Sequence, residues 1–302
     1  MKPAPFAYHE PTTVEEVLQL LAELGDEAKP LAGGQSLVPM MNFRLARPAH
    51  LIDLNRVGEL SYLREEPDGG LRIGAMVRQR FVERSPLVRE RWPVLHEAVG
   101  LIGHVHIRNR GTMGGSLAHA DPAAELPATM LALDAEVVIR RLGGERTVPA
   151  DEFFISYFTT AVEPDELLGE VRLAPPWPRT GWAYEELTRR HGDFAIVGVA
   201  ALLTLDDGVV SRARLAFAGA GPTPLRARRA EALLVGERPD ERIFREAGAR
   251  AAEELEPDSD IHADAGYRRE VASVLARRAL AAALARAVEA GPAPSPSGRG
   301  LG

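Results

Sequence analysis

The sequence predicts an α+β protein in two parts, the first opening with a small parallel α/β unit and the second an antiparallel sheet accompanied by helices. Three observations predict it. Near the start a strand, a glycine loop, a short helix and a second strand follow one another, the order of a small parallel α/β unit. Pro175-Pro176-Trp177-Pro178 then forms a stiff linker. Beyond it two apolar strands flank Asp206-Asp207-Gly208, the turn chemistry of an antiparallel hairpin, and three helical segments follow.

The elements can be taken in order. Thr12 and Thr13 precede Glu15 and Glu16 at capping-box spacing, and Val14, Val17, Leu18, Leu21 and Leu24 recur at helical spacing until Gly25 ends the run. A short strand, 29–32, leads into Gly33-Gly34-Gln35-Ser36. An apolar stretch, 37–43, and a second strand, 51–54, follow. Runs at 60–64 and 71–74 flank Pro67-Asp68-Gly69-Gly70 and read as a hairpin. Helical patterns fill 76–102. After a second glycine loop, Arg110 to Ser116, the stretch 123–133 reads as a helix with Pro122 near its start, as suits the first helical position. Residues 135–141 form a strand that turns at Gly143-Gly144 and returns through Thr147-Val148. Strands at 196–205 and 209–218 and helices near 225–235, 240–255 and 267–289 complete the ordered chain, and a Gly/Pro/Ser-rich tail is expected to be disordered. The expected division is 1–56, 57–176, 177–290 and a tail, 291–302.

Composition removes several functions. The 302 residues contain no cysteine, which excludes disulfide scaffolds, thiolate zinc sites, iron–sulfur clusters held by this chain, cysteine nucleophiles and cysteinyl-linked flavin. A formal net charge of −7 argues against nucleic acid as the partner. No apolar run is long enough to span a membrane, and the start lacks the apolar core of a secretory signal, so a cytoplasmic protein is expected. The P-loop, the Rossmann fingerprint, H-E-x-x-H and G-x-S-x-G are all absent.

Two glycine loops stand out. In Ala32-Gly33-Gly34-Gln35-Ser36, a glycine pair between strand and helix lets successive amides converge on an anion, with Gln35 and Ser36 as side-chain donors. The plain alternative is an ordinary strand-to-helix turn. Thr112-Met113-Gly114-Gly115-Ser116 repeats hydroxyl, glycine pair and hydroxyl, so the two loops are suited to gripping one diphosphate from both sides. Neither holds a lysine, which suits a dinucleotide held by amide dipoles more than a triphosphate passed to Mg²⁺. His104-x-His106 would place both rings on one face of an extended segment, with His119 and Asp121 following, but nothing fixes a third metal ligand. His191 sits in a charged turn that is either a solvated loop or a cover over a ligand. Glu125 opens a helix, where it either complements the dipole or accepts hydrogen bonds from a cofactor hydroxyl.

Lys29-Pro-Leu-Ala-Gly-Gly-Gln-Ser36, Ile107-Arg-Asn-Arg-Gly-Thr-Met-Gly-Gly-Ser-Leu-Ala-His-Ala-Asp-Pro-Ala-Ala-Glu-Leu-Pro127 and Arg189-Arg-His-Gly-Asp-Phe194 together resemble the FAD-binding medium subunit of molybdenum hydroxylases, of the carbon monoxide dehydrogenase type, with the flavin domain of xanthine dehydrogenase more distant. The resemblance covers about residues 4–288. It implies a vanillyl-alcohol-oxidase-type FAD-binding fold of two α/β subdomains, plus a C-terminal domain of antiparallel sheet with helices.

It also implies non-covalent FAD, held by Lys29, Pro30, Leu31, Ala32, Gly33, Gly34, Gln35, Ser36 and Leu37 on the diphosphate and adenosine side. Thr112, Gly114, Gly115, Ser116, Ala118 and His119 would close on the cofactor from the second motif. Ile102 and Leu168 match apolar contacts of the isoalloxazine. Glu125 matches a family aspartate, and Phe194, often tyrosine in relatives, lies in a mobile loop over one flavin face. Ser116 replaces a frequent asparagine. Glu185 stands where the xanthine enzyme has a flavin-proximal lysine, which argues against that enzyme's NAD chemistry.

The implied reaction is divided among subunits. A large molybdopterin subunit oxidises the substrate, a small subunit relays electrons through two [2Fe–2S] clusters, and FAD in this chain delivers them to an acceptor, within a dimer of heterotrimers. The resemblance assigns this chain no metal and no acid or base. The absent cysteines argue against the 4-hydroxybenzoyl-CoA reductase type, whose medium subunit carries an extra cluster. A stand-alone FAD oxidase or dehydrogenase of the same fold and a non-catalytic dinucleotide-binding module are the alternatives. Substrate and acceptor stay open.

Overall fold

The computed structural model describes residues 2–289, so the expected tail, 291–302, lies outside the described residues. The first unit is a parallel three-stranded sheet in the order β1 (Ala7–His9), β3 (His50–Asp53), β2 (Ala28–Leu31). Helix α1 (Val14–Leu24) joins β1 to β2. The Thr13 hydroxyl accepts the Glu16 amide at 3.2 Å while the Glu16 carboxylate accepts the Thr13 amide at 3.3 Å, a complete capping box. Helix α2 (Leu37–Asn42) joins β2 to β3. Strand β1 has only three residues after a proline-rich start, too few to show alternation, and the sequence did not predict it.

The second unit is a five-stranded sheet, antiparallel throughout, in the order β4 (Leu63–Glu65), β5 (Leu71–Gly74), β10 (Leu167–Leu173), β6 (Glu136–Arg141), β7 (Gly144–Pro149). The expected strand from Leu60 begins at Leu63, because Gly58–Leu60 is a 3₁₀ turn. Helices α3 (Gln79–Arg84), α4 (Pro86–Arg91), α5 (Pro93–Leu101), α6 (Val105–Arg108), α7 (Met113–His119) and α8 (Glu125–Ala132) lie between β5 and β6. Helix α9 (Ala150–Phe153) and the hairpin β8 (Phe154–Ser156), β9 (Thr159–Thr160) precede β10.

The central strand, β10, was not legible in the sequence. Gly169 and Glu170 interrupt its apolar run, and Glu170 is buried only because Tyr62, Arg172 and Arg72 surround its carboxylate. Helix α8 corrects a second expectation. It starts at Glu125, and Pro122 precedes it in a turn where the Asp121 carboxylate accepts the Ala123 amide at 2.9 Å.

The third unit is the antiparallel sheet β11 (Thr180–Leu187), β12 (Val197–Asp206), β13 (Val209–Ala218), β14 (Leu225–Arg226), with α10 (Arg228–Leu234), α11 (Glu241–Glu254) and α12 (Ala265–Glu289). The hairpin at Asp207-Gly208 is as expected. The segment expected as helix near 225–235 starts with β14 instead, and β11 was not predicted.

One face of this sheet, with Val199, Ala201, Leu203, Leu215 and Phe217, packs against α11 and α12. The other face sends Tyr184, Ala200, Leu202, Ala216 and Ala218 into the core of the second unit, beside Leu95, Leu126 and Met130. The Pro175–Pro178 stretch is irregular backbone, yet the sheets on either side of it share this core. Each buried leucine, isoleucine, valine or methionine in it contributes about 1.5–3 kcal/mol relative to exposure, and each alanine less.

Candidate functional site

The first glycine loop leaves β2 at Ala32 and enters α2 at Leu37. Gly34 adopts φ +72°, a conformation that glycine takes without strain. Bonds inside the loop are few: the Gln35 amide side chain donates to the Gly33 carbonyl at 3.1 Å, and the Val38 amide to the Gly34 carbonyl at 3.2 Å. Among the described residues, the amides of Gly33, Gly34, Gln35, Ser36 and Leu37 reach no protein acceptor, and the Ser36 hydroxyl caps nothing. Consecutive half-buried amides without acceptors form an anion-binding nest.

The second loop is built differently. Thr112 is the N-cap of α7, and its hydroxyl accepts the Gly115 amide at 3.0 Å. The Met113 amide donates to the Val77 carbonyl and the Gly114 amide to the Ala75 carbonyl, both at 2.9 Å, and the Ser116 amide donates to the Thr112 carbonyl at 3.2 Å. The expectation that this loop offers converging amides to a diphosphate is therefore corrected, because these donors are spent on the cap and on the chain after β5. Its glycines serve close packing. A Cβ on Gly114 would lie 2.5 Å from the Ala75 Cβ, and one on Gly115 would lie 2.7 Å from the Thr112 hydroxyl and 3.2 Å from the Ala32 Cβ.

The two loops meet. A Cβ on Gly33 would collide with the Arg110 carbonyl oxygen and lie 2.8 Å from the Gly111 Cα. Two residues that the sequence did not single out fasten the junction. Arg78 donates to the Arg110 carbonyl and, at 2.5 Å, to the Asn55 side-chain oxygen. Asn55 in turn donates to the Ala32 carbonyl at 3.1 Å. Burial and the neighbouring Arg110 charge push the Arg78 guanidinium below its usual value. Both residues lie outside any glycine motif, and no sequence signal marks them.

A cavity of about 790 Å³ opens elsewhere, between the start of α8, the β8–β9 hairpin and the third unit, and neither glycine loop lines it. Phe194, 58% exposed, lines it. Phe158 stands opposite at the hairpin tip, at φ +52° and 5.2 Å from the His119 ring. Burial pushes the His119 imidazole below its usual value. Ala118 is exposed. Arg268 lines the floor, donating to the Gly219 carbonyl at 3.1 Å and to Asp260 at 2.7 Å. Lys29 is exposed on β2, and Pro30 and Leu31 are half-buried beside it. Ile102 is half-buried at the end of α5, and Leu168 is buried in β10, both packed on the core of the second unit.

His104 and His106 bracket the start of helix α6 and do not alternate on a strand. Their rings still lie 5.7 Å apart, with the His191 ring 5.8 Å from His104 and the Gly192 backbone against it, and no cluster able to hold a metal exists among the described residues.

Glu125, the first residue of α8, is 3% exposed. Burial, with Glu186 and Asp121 adding to it, pushes its carboxyl up to about 8. Burial pushes Glu186 up to about 7. Among the described residues, neither the Tyr184 hydroxyl nor one oxygen of Glu186 has a partner. Glu186 and Tyr184 were missed because β11 was missed, although Trp182, Tyr184 and Glu186 alternate as strand residues do.

The profile of the FAD binding domain in molybdopterin dehydrogenase matches residues 4–177, and that of the CO dehydrogenase flavoprotein C-terminal domain matches residues 182–283. The chain is 45% identical over 289 residues to the 6-hydroxypseudooxynicotine dehydrogenase complex subunit alpha of Paenarthrobacter nicotinovorans, covering 95% of this chain and 97% of that one. It is 42% identical to the carbon monoxide dehydrogenase medium chain of Hydrogenophaga pseudoflava, covering 95% and 99%. The structure superposes on a carbon monoxide dehydrogenase from Hydrogenophaga pseudoflava that lacks the Mo-pyranopterin moiety of its cofactor, with a TM-score of 0.92, 44% identity, and coverage of 95% and 99%.

Proposed function

The chain belongs to the family of FAD-binding medium subunits of molybdenum hydroxylases of the carbon monoxide dehydrogenase and xanthine dehydrogenase type, and from that premise we propose that it takes electrons from [2Fe–2S] clusters of a small partner subunit and passes them to an external acceptor. It is an oxidoreductase subunit. A large molybdopterin subunit completes the proposed heterotrimer, two of which pair. Zero cysteines in this chain agree with clusters housed elsewhere.

One observation supports the placement of the cofactor: five consecutive amides, Gly33 to Leu37, without acceptors among the described residues, on a loop pressed against Arg110 and Gly111. These amides and the Ser36 hydroxyl would hold the FAD diphosphate, with Lys29 to Ala32 leading the chain to it. The second loop, Thr112 to Ser116, would act as a rigid wall, with Ala118 and His119 beyond it. Ile102, Leu168, Glu125 and Phe194 would surround the ring. Bound there, FAD supplies the exchange between one-electron donors and a two-electron acceptor, while the protein supplies position and field.

Relatives that share over 40% identity with this chain carry names with unrelated substrates, carbon monoxide and 6-hydroxypseudooxynicotine. Substrate choice therefore falls to the molybdenum subunit in this reading.

The test is purification from the native host with whatever chains accompany this one. A yellow complex containing molybdenum, whose flavin reduces with dithionite and reoxidises, and whose isolated medium subunit turns over no substrate alone, is the expected result. A colourless chain that refuses added FAD would overturn the reading. Turnover of an alcohol or aldehyde by this chain alone would favour a stand-alone oxidase.

A further inference from the structure

The most unusual chemistry outside the glycine loops lies where the third unit packs on the second. Along β11, Ala183 and Leu187 belong to the core with α11 and α12, while Trp182 and Tyr184 pack into the opposite core. Alternation places Glu186 on the face of Trp182 and Tyr184. Glu125, at the head of α8, is buried against the same face, because α8 packs on β12 and β13. Opposite Glu186 on β12 stands Gly198, where a Cβ would lie 2.7 Å from the Tyr184 hydroxyl. That glycine keeps open the space into which the hydroxyl points.

The polar atoms here are unusually bare. Among the described residues the Tyr184 hydroxyl and one Glu186 oxygen have no partner, and the buried Glu125 carboxyl meets only its own backbone amide. Buried polar groups almost always find partners. Charged groups around the cluster are engaged elsewhere. On α5, Glu97 pairs with Arg286 of α12 at 2.7 Å, and His96 lies one residue before it. On α6, Arg108 pairs with Glu83 at 2.8 Å. Asp121 precedes α8 and His119 closes α7, and neither brings a cation to the two carboxyls. Arg108 opposes the effect at Glu125 only weakly from its pair with Glu83, and two carboxyls buried in this way retain protons. The raised positions of Glu125 and Glu186, about 8 and about 7, agree.

We infer that Glu125 and Glu186, with Tyr184 on the same face, form an internal proton store coupled to reduction of the bound flavin. The inference rests on the reading of this chain as an electron-transfer subunit. Taking FAD to FADH2 consumes two electrons and two protons. The electrons come singly from a partner's [2Fe–2S] cluster, and Glu186 yields one proton and becomes a carboxylate. The other proton enters from solvent through the open cavity. When the external acceptor removes the two electrons, one proton returns to Glu186 and the other leaves to solvent. A neutral acid at this place also spares the ring a fixed negative charge, which would oppose electron uptake.

The holoenzyme tests this by infrared difference spectroscopy between oxidised and reduced flavin, and by the flavin midpoint potential as a function of pH. Wild type is expected to lose a protonated-carboxyl band on reduction and to show an inflection in its potential near neutral pH. Glu186→Gln should retain stoichiometric FAD, lack that band and lose the inflection, and Glu186→Asp should restore both in part. A flavin-replete wild type whose carboxyl bands do not change on reduction would overturn the proton store and leave the electron-transfer reading standing. A wild type that carries no FAD would overturn both. The wild-type spectrum decides the matter even if the variants do not fold.

Discussion

The backbone of Gly33 runs so close to the carbonyl of Arg110 that no side chain fits between them. This contact ties the loop after β2 to the loop before α7, and it is a backbone contact that rotamer changes cannot relieve. Gly33→Ala is therefore expected to push the loops apart at a cost of about 1–3 kcal/mol. FAD affinity should fall by about fivefold to about a hundredfold, since each 1.4 kcal/mol is a factor of ten. Flavin-to-protein ratio after gel filtration measures it. The core between the third sheet and α12 lies elsewhere and should keep its circular dichroism. Full retention of FAD would separate the two loops from the cofactor.

Thr112 acts through α7. Its hydroxyl caps the Gly115 amide, and the residue is 1% exposed. Thr112→Val removes the acceptor at nearly constant volume and frees a buried amide, so stability should fall by about 1–2 kcal/mol. Thr112→Ser should recover most of the loss. Urea unfolding at equal flavin content distinguishes these cases, and equal midpoints for Thr112→Val and wild type would show that the cap contributes nothing.

The first loop and the hairpin β12–β13 were legible because their signals are local: glycine pairs, a turn dipeptide, long apolar alternation. What the sequence hid was non-local. Strand β10 reads poorly because Glu170 sits mid-strand and is tolerated through Tyr62, just before β4, and Arg72 of β5, together with Arg172 two residues on in β10 itself. The division of labour between the glycine loops was hidden for the same reason. Both carry glycine pairs, but only the fold shows that Ala75 and Val77 claim the amides of one and leave those of the other free. Arg78 and Asn55 carry no motif at all and are functional candidates only because the chain brings them to the junction.

Phe194 offers its ring to the cavity and little to the core. At 58% exposure its truncation removes few packing contacts. Phe194→Ala is expected to leave FAD content within error of wild type and to change the rate of reoxidation by an external acceptor several-fold, measured by stopped-flow absorbance. Unchanged reoxidation would detach the 189–194 loop from the flavin face.

Glu125 makes the stability of the chain depend on pH in a direction opposite to that of ordinary carboxylates. Its folded position of about 8 exceeds the unfolded value of 4.5, chiefly through burial. Folding therefore holds a proton that the unfolded chain releases above pH 4.5. The stabilisation is complete below that pH, declines as pH rises, and is gone above about pH 8. Glu186 acts in the same sense up to about pH 7. Each pH unit of the window is worth up to about 1.4 kcal/mol per group, so the total is on the order of a few kcal/mol. Glu83, Glu166 and Glu170, held below the usual range, lose their contributions only in acid, below this window. His119, held below 6.5 by burial, works against the trend below that pH, so the informative quantity is a difference between proteins. Glu125→Gln has no proton to release. Its unfolding free energy should fall less steeply between pH 5 and pH 8 than that of wild type, with the gap moving in favour of the variant as pH rises. Parallel curves for the two proteins would mean that Glu125 is ionised in the folded state, with a cation or water beside it.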